Sequence, residues 1–378
     1  MLIKKMTCYF VVLLSVSLCL FFCAGAVEIS AQSAVVLDAR TNEIIYQKDA
    51  FEKRSMASTT KIMTAFLAIE SGRLCDTVNI TSEMTRAEGT SLGLHAGDKI
   101  TLFDLVYGMM LESGNDAANA VALHLSGSFS SFAALMNERA RQIGMKSTNF
   151  VTPSGLDDEE HYSTAYDMAL LASYCVKNSV FRSVCSAKKY TAQLLEPQTK
   201  LYFSNHNRLL SSVDGVFGVK TGFTKKSGRC LVSAMEKDGA VLVAVTLNAP
   251  NDWSDHKKLY DYALSKLDSV TVKPQYPATL HTIGGVKSSV KINASCSEFS
   301  IALYGKNGLT QKAYLPRFVY APLSKGDLLG KIEFFCGESL VKTVELLAGE
   351  SITGVQETYV PKLSLKERII NKLKSLFE

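Results

Sequence analysis

The chain has 378 residues, of which 47% are apolar and 20% charged, with a formal net charge of +5. That length predicts two domains, and the apolar content suffices for packed cores, which excludes a disordered chain. Lys4 and Lys5 at one end, and a surplus of cations over acids in the segment 361–378 at the other, account for the whole excess. The body between them is neutral, which argues against nucleic acid as its partner.

Lys4 and Lys5 precede an apolar run from Thr7 to Ala24, and Ala24-Gly25-Ala26 fits a small-x-small cleavage site. The pattern predicts a signal peptide over residues 1–26. An uncleaved membrane anchor is the alternative, and both lead to export. Cys8, Cys19 and Cys23 belong to this leader. Cys75, Cys175, Cys185, Cys230, Cys296 and Cys336 show no C-x-x-C and no ligand spacing, so they read as buried free thiols. The histidines are dispersed as well, and neither a metal site nor a cofactor is expected.

Ser33–Asp38 and Glu43–Gln47 read as a strand pair turned at Thr41-Asn42. From Ser58 to about Ser71, Ile62, Met63, Phe66, Leu67 and Ile69 recur at helical spacing, with Ser58 opening the helix and Lys61 on the same face. Helices follow over Thr101–Glu112, Asp116–Leu125, Phe132–Gly144 and Thr164–Asn178. Ser113-Gly114-Asn115 is the corner between the first two, with Gly114 permitting the turn and Asn115 capping. The period then changes to two. Val216–Thr224, Arg229–Met235 and Val241–Asn248 read as strands, the last two joined by a hairpin at Lys237-Asp238-Gly239. A helix over Asp255–Leu267 closes the region. Beyond Asp268 come short strands over Val286–Ile292, Phe299–Tyr304, Leu328–Phe335 and Leu340–Leu347, with a turn at Gly305-Lys306-Asn307-Gly308, the spacing of a small all-β sandwich.

The fold class is therefore α/β: a largely antiparallel sheet with helices and a helical insert over 27–267, then a β sandwich over 268–355. In the tail, 356–378, Leu365, Ile369, Ile370, Leu373, Leu376 and Phe377 fall on one arc of a helix, with Lys366 intruding. The segment is too short and charged to span a bilayer, and suits a helix lying on an anionic membrane surface. The alternative is a helix docked on the protein itself.

Three polar boxes carry the chemistry: Ser58-Thr59-Thr60-Lys61, Ser113-Gly114-Asn115 and Lys220-Thr221-Gly222. Each is weak alone, and Ser58 with Lys61 would then read as an N-cap serine and a solvated lysine. In this order they match the motif set of penicillin-binding proteins and class A β-lactamases. Serine is a weak nucleophile until something takes its proton. A lysine does so only as a neutral amine, which needs burial or a neighbouring cation. Lys61 on the serine's own helix and Lys220 on a strand supply both conditions. Gly222 lets a ligand approach the strand backbone. Two decoys are set aside. Gly89-Thr90-Ser91-Leu92-Gly93 spells a nucleophile elbow but lacks the apolar strand before it, and reads as a glycine-rich surface loop. Lys220-Thr221 lacks the upstream glycine of a phosphate loop.

The segments ASTTKIMT (57–64), LESGNDAAN (111–119), HYSTAYD (161–167), VDGVFGVKTGFT (213–224) and YAPLSKGD (320–327) extend the match. The chain resembles the serine-type D-alanyl-D-alanine carboxypeptidases, the low-molecular-weight penicillin-binding proteins of the S11 peptidase family, over nearly its whole mature length. The resemblance implies a β-lactamase/transpeptidase-like catalytic domain and acylation of Ser58 by the carbonyl between two terminal D-alanines of a peptidoglycan stem peptide. It implies Lys61 as general base, Ser113 with Lys220 as the proton relay, and Asn115 on the substrate amide. Lys220 and Thr221 would bind the terminal carboxylate, and the backbone N–H groups of Ser58 and Phe223 the oxyanion. Gly222, Phe223 and Thr224 would complete the substrate strand. β-Lactams are the implied acylating inhibitors. Some members have a histidine where Phe223 stands and another in the loop of Pro153-Ser154-Gly155. The arginine that some place upstream of K-T-G has only Arg208 near it. Two alternatives accompany this reading: a β-lactamase, for which no E-x-x-x-N lies between the second and third boxes, and a non-catalytic penicillin-binding scaffold.

Overall fold

The computed structural model describes residues 27–304, 308–355 and 364–375. The leader 1–26, the turn residues 305–307, and 356–363 and 376–378 of the tail lie outside them, and with them the cleavage site, Leu376 and Phe377. The chain divides into two compact units. One runs up to Val270 and includes 301–308 and 337–339. The other comprises 271–300, 309–336 and the residues from Leu340 onward.

The first unit is built on a five-stranded antiparallel sheet. β1 (Ser33–Asp38) and β2 (Glu43–Lys48) open it, and the short pairs β3 (Thr77–Asn79) with β4 (Lys99–Thr101) and β5 (Lys189–Leu194) with β6 (Thr199–Ser204) lie outside it. β7 (Val216–Thr224), β8 (Gly228–Lys237) and β9 (Ala240–Leu247) return to give the order β2-β1-β9-β8-β7. Both faces are covered, which is why β1 is buried at all its residues. Alternate residues divide between two cores: Val35, Leu37, Val232, Val243 and Val245 face the helical layer, while Ala34, Val36, Leu231, Leu242 and Ala244 face a single helix.

The helical layer comprises α1 (Lys61–Glu70), α2 (Leu102–Leu111), α3 (Asn115–Ser126), α4 (Phe129–Ile143), α5 (Ala165–Cys175) and α6 (Ser179–Ser186). α1 is buried at every position but Glu70, as an apolar central helix must be. α2 and α5 start on Thr101 and Thr164, whose hydroxyls accept the N–H groups of Asp104 and Asp167. After the single turn α7 (Leu209–Ser212), α8 (Asp252–Ser265) covers the other face, its Leu259, Tyr260 and Ala263 in the second core.

The second unit is β-rich. A six-stranded sheet runs in the order Leu309–Tyr314, Leu328–Cys336, Ser339–Ala348, Ser289–Ala294, Thr279–Ile283 and Phe318–Tyr320, beside the short pair Asp268–Val272 and Phe299–Leu303. Val290, Ile332, Phe334, Val344 and Leu346 form its core, and their alternation gives the period-two pattern seen in the sequence. The tail helix α9 (Leu365–Lys374) is closed at its start by a capping box between Ser364 and Glu367, and every residue in it is exposed. Among the described residues no helix is long and apolar enough to cross a membrane.

The structure departs from the sequence expectations in several places. Ser58 lies in a 3-10 turn, Ala57–Thr60, and the α-helix proper begins at Lys61. The left-handed residue of the second box is Ser113 (φ +65°) rather than Gly114 (φ −55°). Gly114 is needed for space, since a Cβ there would stand 2.6 Å from Leu92 Cγ. Asn115 does not cap α3: its side chain turns into the site described next, and Asp116 collects the local N–H groups. The β5–β6 hairpin is an addition to the elements expected from the sequence; β5 alternates polar and apolar residues, while β6 carries the apolar run Leu201-Tyr202-Phe203.

Candidate active site

The turn bearing Ser58 is pinned from two sides. On one, the loop 151–155 is tied to α1: the Thr64 hydroxyl donates to the Pro153 carbonyl at 2.6 Å. Gly155 packs so closely that a Cβ would fall 1.9 Å from the Ala57 carbonyl oxygen. His161 secures the loop. Its Nδ1 accepts the Val151 N–H at 2.9 Å, so its Nε2–H donates to Thr60 Oγ1, also at 2.9 Å. Burial pushes the His161 pKa down to about 4, which keeps this tautomer neutral. On the other side runs edge strand β7, where a Cβ on Gly222 would stand 3.0 Å from the Ser58 nitrogen.

Lys61 is fully buried, and three oxygens surround its Nζ: Ser58 Oγ at 2.8 Å, Asn115 Oδ1 at 2.7 Å and the Ser154 carbonyl at 2.7 Å. Asn115 is oriented unambiguously, because its Nδ2 donates to the Glu88 carbonyl at 2.5 Å. Burial, and then the charge of Lys220, hold the Lys61 amine well below the usual lysine range, with Asp116 opposing. A neutral amine has two N–H donors and one lone pair. The two carbonyl oxygens can only accept, so they take both N–H bonds and leave the lone pair for the Ser58 hydroxyl, which donates to it. In this arrangement the Lys61 amine is placed to take the Ser58 proton.

Lys220 lies on β7 and is likewise buried. Burial lowers its pKa to about 7 against the opposing charge of Glu112, and its ammonium donates to the Thr221 carbonyl at 3.0 Å. Ser58, Ser113, Thr221, Gly222 and Phe223 line one cleft of about 650 Å³, with Thr90, Arg208 and Arg229 on its walls. Lys61, Asn115 and Lys220 lie buried around it. The three boxes thus meet. Thr224 is the exception among the residues expected here: its hydroxyl bonds Asp157 and Ser227, both at 2.9 Å, and it does not line the cleft.

Several supporting groups had no separate signal in the sequence. The Ser154 carbonyl and His161 hold the base through a backbone atom and a neutral ring, which motif spacing does not report. The loop Gly89–Gly93 is a surface loop as expected, and it also forms a cleft wall. The Asn115 N–H donates to the Thr90 carbonyl at 2.7 Å, and Asp116 accepts from the Ser91 hydroxyl at 2.6 Å and the Leu92 N–H at 2.9 Å. Cys175, Cys185 and Cys230 are buried free thiols, and burial raises each of their pKa values.

Fold and site set a cleft serine against a buried lysine, the arrangement of a serine acyl-transfer protein. Residues 22–251 match the family model described as D-alanyl-D-alanine carboxypeptidase. The chain is 30% identical to D-alanyl-D-alanine carboxypeptidase DacF of Bacillus subtilis, over 80% of each chain. Its fold is similar to that of the D-alanyl-D-alanine carboxypeptidase DacD from Francisella tularensis (27% identity, TM-score 0.61, 87% of this chain and 95% of that one). It is also similar to the Streptomyces K15 DD-transpeptidase (34% identity, TM-score 0.60, 63% of this chain and 98% of that one). The chain belongs to the D-alanyl-D-alanine carboxypeptidase family and is a serine peptidase.

Proposed function

We propose that this protein removes the terminal D-alanine from peptidoglycan pentapeptide stems through an acyl-enzyme on Ser58. The observation that carries the reading is the buried Lys61 amine, whose Nζ lies 2.8 Å from Ser58 Oγ and 2.7 Å from both Asn115 Oδ1 and the Ser154 carbonyl. Ser58 Oγ attacks the carbonyl between the two D-alanines while its proton passes to Lys61. The oxyanion takes the backbone N–H groups of Ser58 and Phe223, which the close approach of Gly222 supports. The tetrahedral adduct collapses with cleavage of the C–N bond. The proton reaches the departing D-alanine through Ser113, which lines the cleft, with Lys220 buried nearby. Water then cleaves the ester and restores Ser58. Asn115 holds the base as well as facing the substrate, and Lys220 with Thr221 receives the terminal carboxylate. β-Lactams acylate Ser58 by the same attack.

The reading extends to location. Residues 1–26 direct export, and the exposed Leu365, Ile369, Ile370 and Leu373 of α9, interleaved with cations, suit the outer surface of an anionic membrane. The test is D-alanine release from a diacetyl-Lys-D-Ala-D-Ala peptide, with the mass of the benzylpenicillin adduct measured alongside. Release that is abolished by Ser58→Ala, together with a Ser58 adduct, supports the function. Undiminished release by Ser58→Ala, or none by the wild type, refutes it. Truncation after Val360 should free the enzyme from anionic vesicles while leaving D-alanine release intact, and unchanged vesicle binding would refute the anchor.

A further inference from the structure

The β-rich unit leaves an apolar corner uncovered. Its six-stranded sheet ends on the short strand Phe318–Tyr320, which pairs in parallel with Thr279–Ile283 and sets Phe318 beside His281 and Tyr320 beside Ile283. Side chains alternate along a strand, so Leu280, Thr282 and Val319 turn to the core while Phe318, Tyr320 and Ile283 share the outer face. The two rings meet edge to face at 5.4 Å, and Tyr320 is 66% exposed. The point where the chain leaves the sheet is stitched to the same corner. The Val286 N–H donates to the Thr353 carbonyl at 3.0 Å, and the Val355 N–H to the Gly284 carbonyl at 2.8 Å. Val286 and Val355 are exposed as well. Scattered apolar residues on a surface are ordinary, but a contiguous group marks a contact.

The partner follows from what is tied to this corner. Residues 356–363 separate Val355 from Ser364, the N-cap of α9, and a chain of that length reaches about 32 Å at most. α9 presents Leu365, Ile369, Ile370 and Leu373 to solvent among cations. With that helix lying on an anionic bilayer, the corner is held within tether reach of the same surface, and a tethered second contact gains from its high effective concentration. The chemistry matches. Aromatic rings, one of them carrying a hydroxyl, favour the boundary between acyl chains and headgroups. Arg317, exposed beside Phe318 and without an ion pair among the described residues, suits a headgroup phosphate. Glu350, a few residues before the exit, is neutralised by Lys287.

We infer that Phe318, Tyr320 and Ile283, with Val286 and Val355, form a second membrane contact that enters the interface of an anionic bilayer beside α9. This contact rests on the proposed membrane reading of the tail and adds to it a surface of the β-rich unit.

Vesicles of equal parts phosphatidylglycerol and acyl-brominated phosphatidylcholine test it on the full chain. Tyr320→Trp should show fluorescence quenching beyond that of the parent, whose one tryptophan is Trp253. Tyr314→Trp, on the opposite edge strand and about 24 Å away across the sheet, should show none beyond the parent. The double variant Phe318→Ser, Tyr320→Ser should lower the vesicle partition coefficient by about 10-fold or more, the scale of returning two aromatic side chains to water, with D-alanine release unchanged. Truncation after Val360 should abolish the Tyr320→Trp quenching. Vesicle binding with Tyr320→Trp unquenched, or a double variant that partitions like the wild type, would overturn the corner contact and leave the tail reading standing. Tyr320→Trp emission already blue-shifted without vesicles would overturn it too: loss of the shift on truncation would assign the corner to α9, and loss on dilution to a second copy of the chain. Absence of vesicle binding by the full chain would overturn the tail reading and the corner contact together.

Discussion

Gly222→Ala is the sharpest test of the geometry around Ser58. A methyl group there would stand 3.0 Å from the Ser58 nitrogen and 3.1 Å from both Ala57 Cβ and the Met56 carbonyl oxygen. Contacts that tight require β7 or the nucleophile turn to give by a few tenths of an ångström. Oxyanion donors work at ~2.7–3.1 Å, and a shift of that size lengthens one of the two N–H contacts toward the end of that range. Complete loss of one such donor costs about 2.7–4 kcal/mol, or ~10²–10³ in kcat, so a fall of about 10-fold or more up to that limit is expected. Stability should change little, because β7 is the sheet edge and the strain is relieved into an open cleft. The assay is the rate of benzylpenicillin acylation beside D-alanine release, with the urea midpoint measured on the same samples. Acylation within about 3-fold of the wild type would refute the close-approach argument. A fall in activity matched by a collapse of the urea midpoint would refute it equally.

Three further outcomes are expected. Lys220, with a pKa of about 7, loses its charge above that pH, so kcat/KM should fall on an alkaline limb near pH 7, while burial moves any limb that belongs to Lys61 well below the usual lysine range. Lys220→Arg should carry the alkaline limb beyond about pH 9, since arginine stays charged, and an unmoved limb would separate it from Lys220. Asn115→Asp sets a carboxylate where the amide oxygen stands 2.7 Å from Lys61 Nζ, which favours the charged amine. Acylation at pH 7 should fall by about 100-fold or more and recover as pH rises; a loss independent of pH would contradict this. Burial holds the His161 pKa at about 4. From an unfolded value of about 6.5 the unfolded chain binds the proton first, so stability is lost as pH falls from about 6.5 to 4, by about 3 kcal/mol. Urea midpoints of His161→Gln should show a shallower acid slope over that window, and an identical slope would count against it.

Much of the framework was legible because local patterns state it. The three boxes lie on a turn before a helix, a corner between helices and a strand, as their flanking periodicities indicate. The buried sheet announced itself by apolar runs in β1, β8 and β9. The β5–β6 hairpin was harder to read: β5 alternates over only six residues, and in β6 the exposed Tyr202 between Leu201 and Phe203 makes an apolar run that hides the alternation. The corner at Ser113 misled for a related reason: glycine at Gly114 signals a turn, yet the glycine serves to admit Leu92, a residue far off in sequence.

The sequence by itself pointed to the groups that meet in the cleft, since an S-x-x-K, an S-x-N and a K-T-G in that order mark a serine, a lysine beside it and a second lysine. What only the tertiary structure decided is the protonation and aim of those groups. Burial in the helical layer lowers the Lys61 pKa, and Asn115 Oδ1 and the Ser154 carbonyl hold its Nζ against Ser58 Oγ. Burial and direction are properties of segments brought together from distant parts of the chain, and no local spacing encodes them.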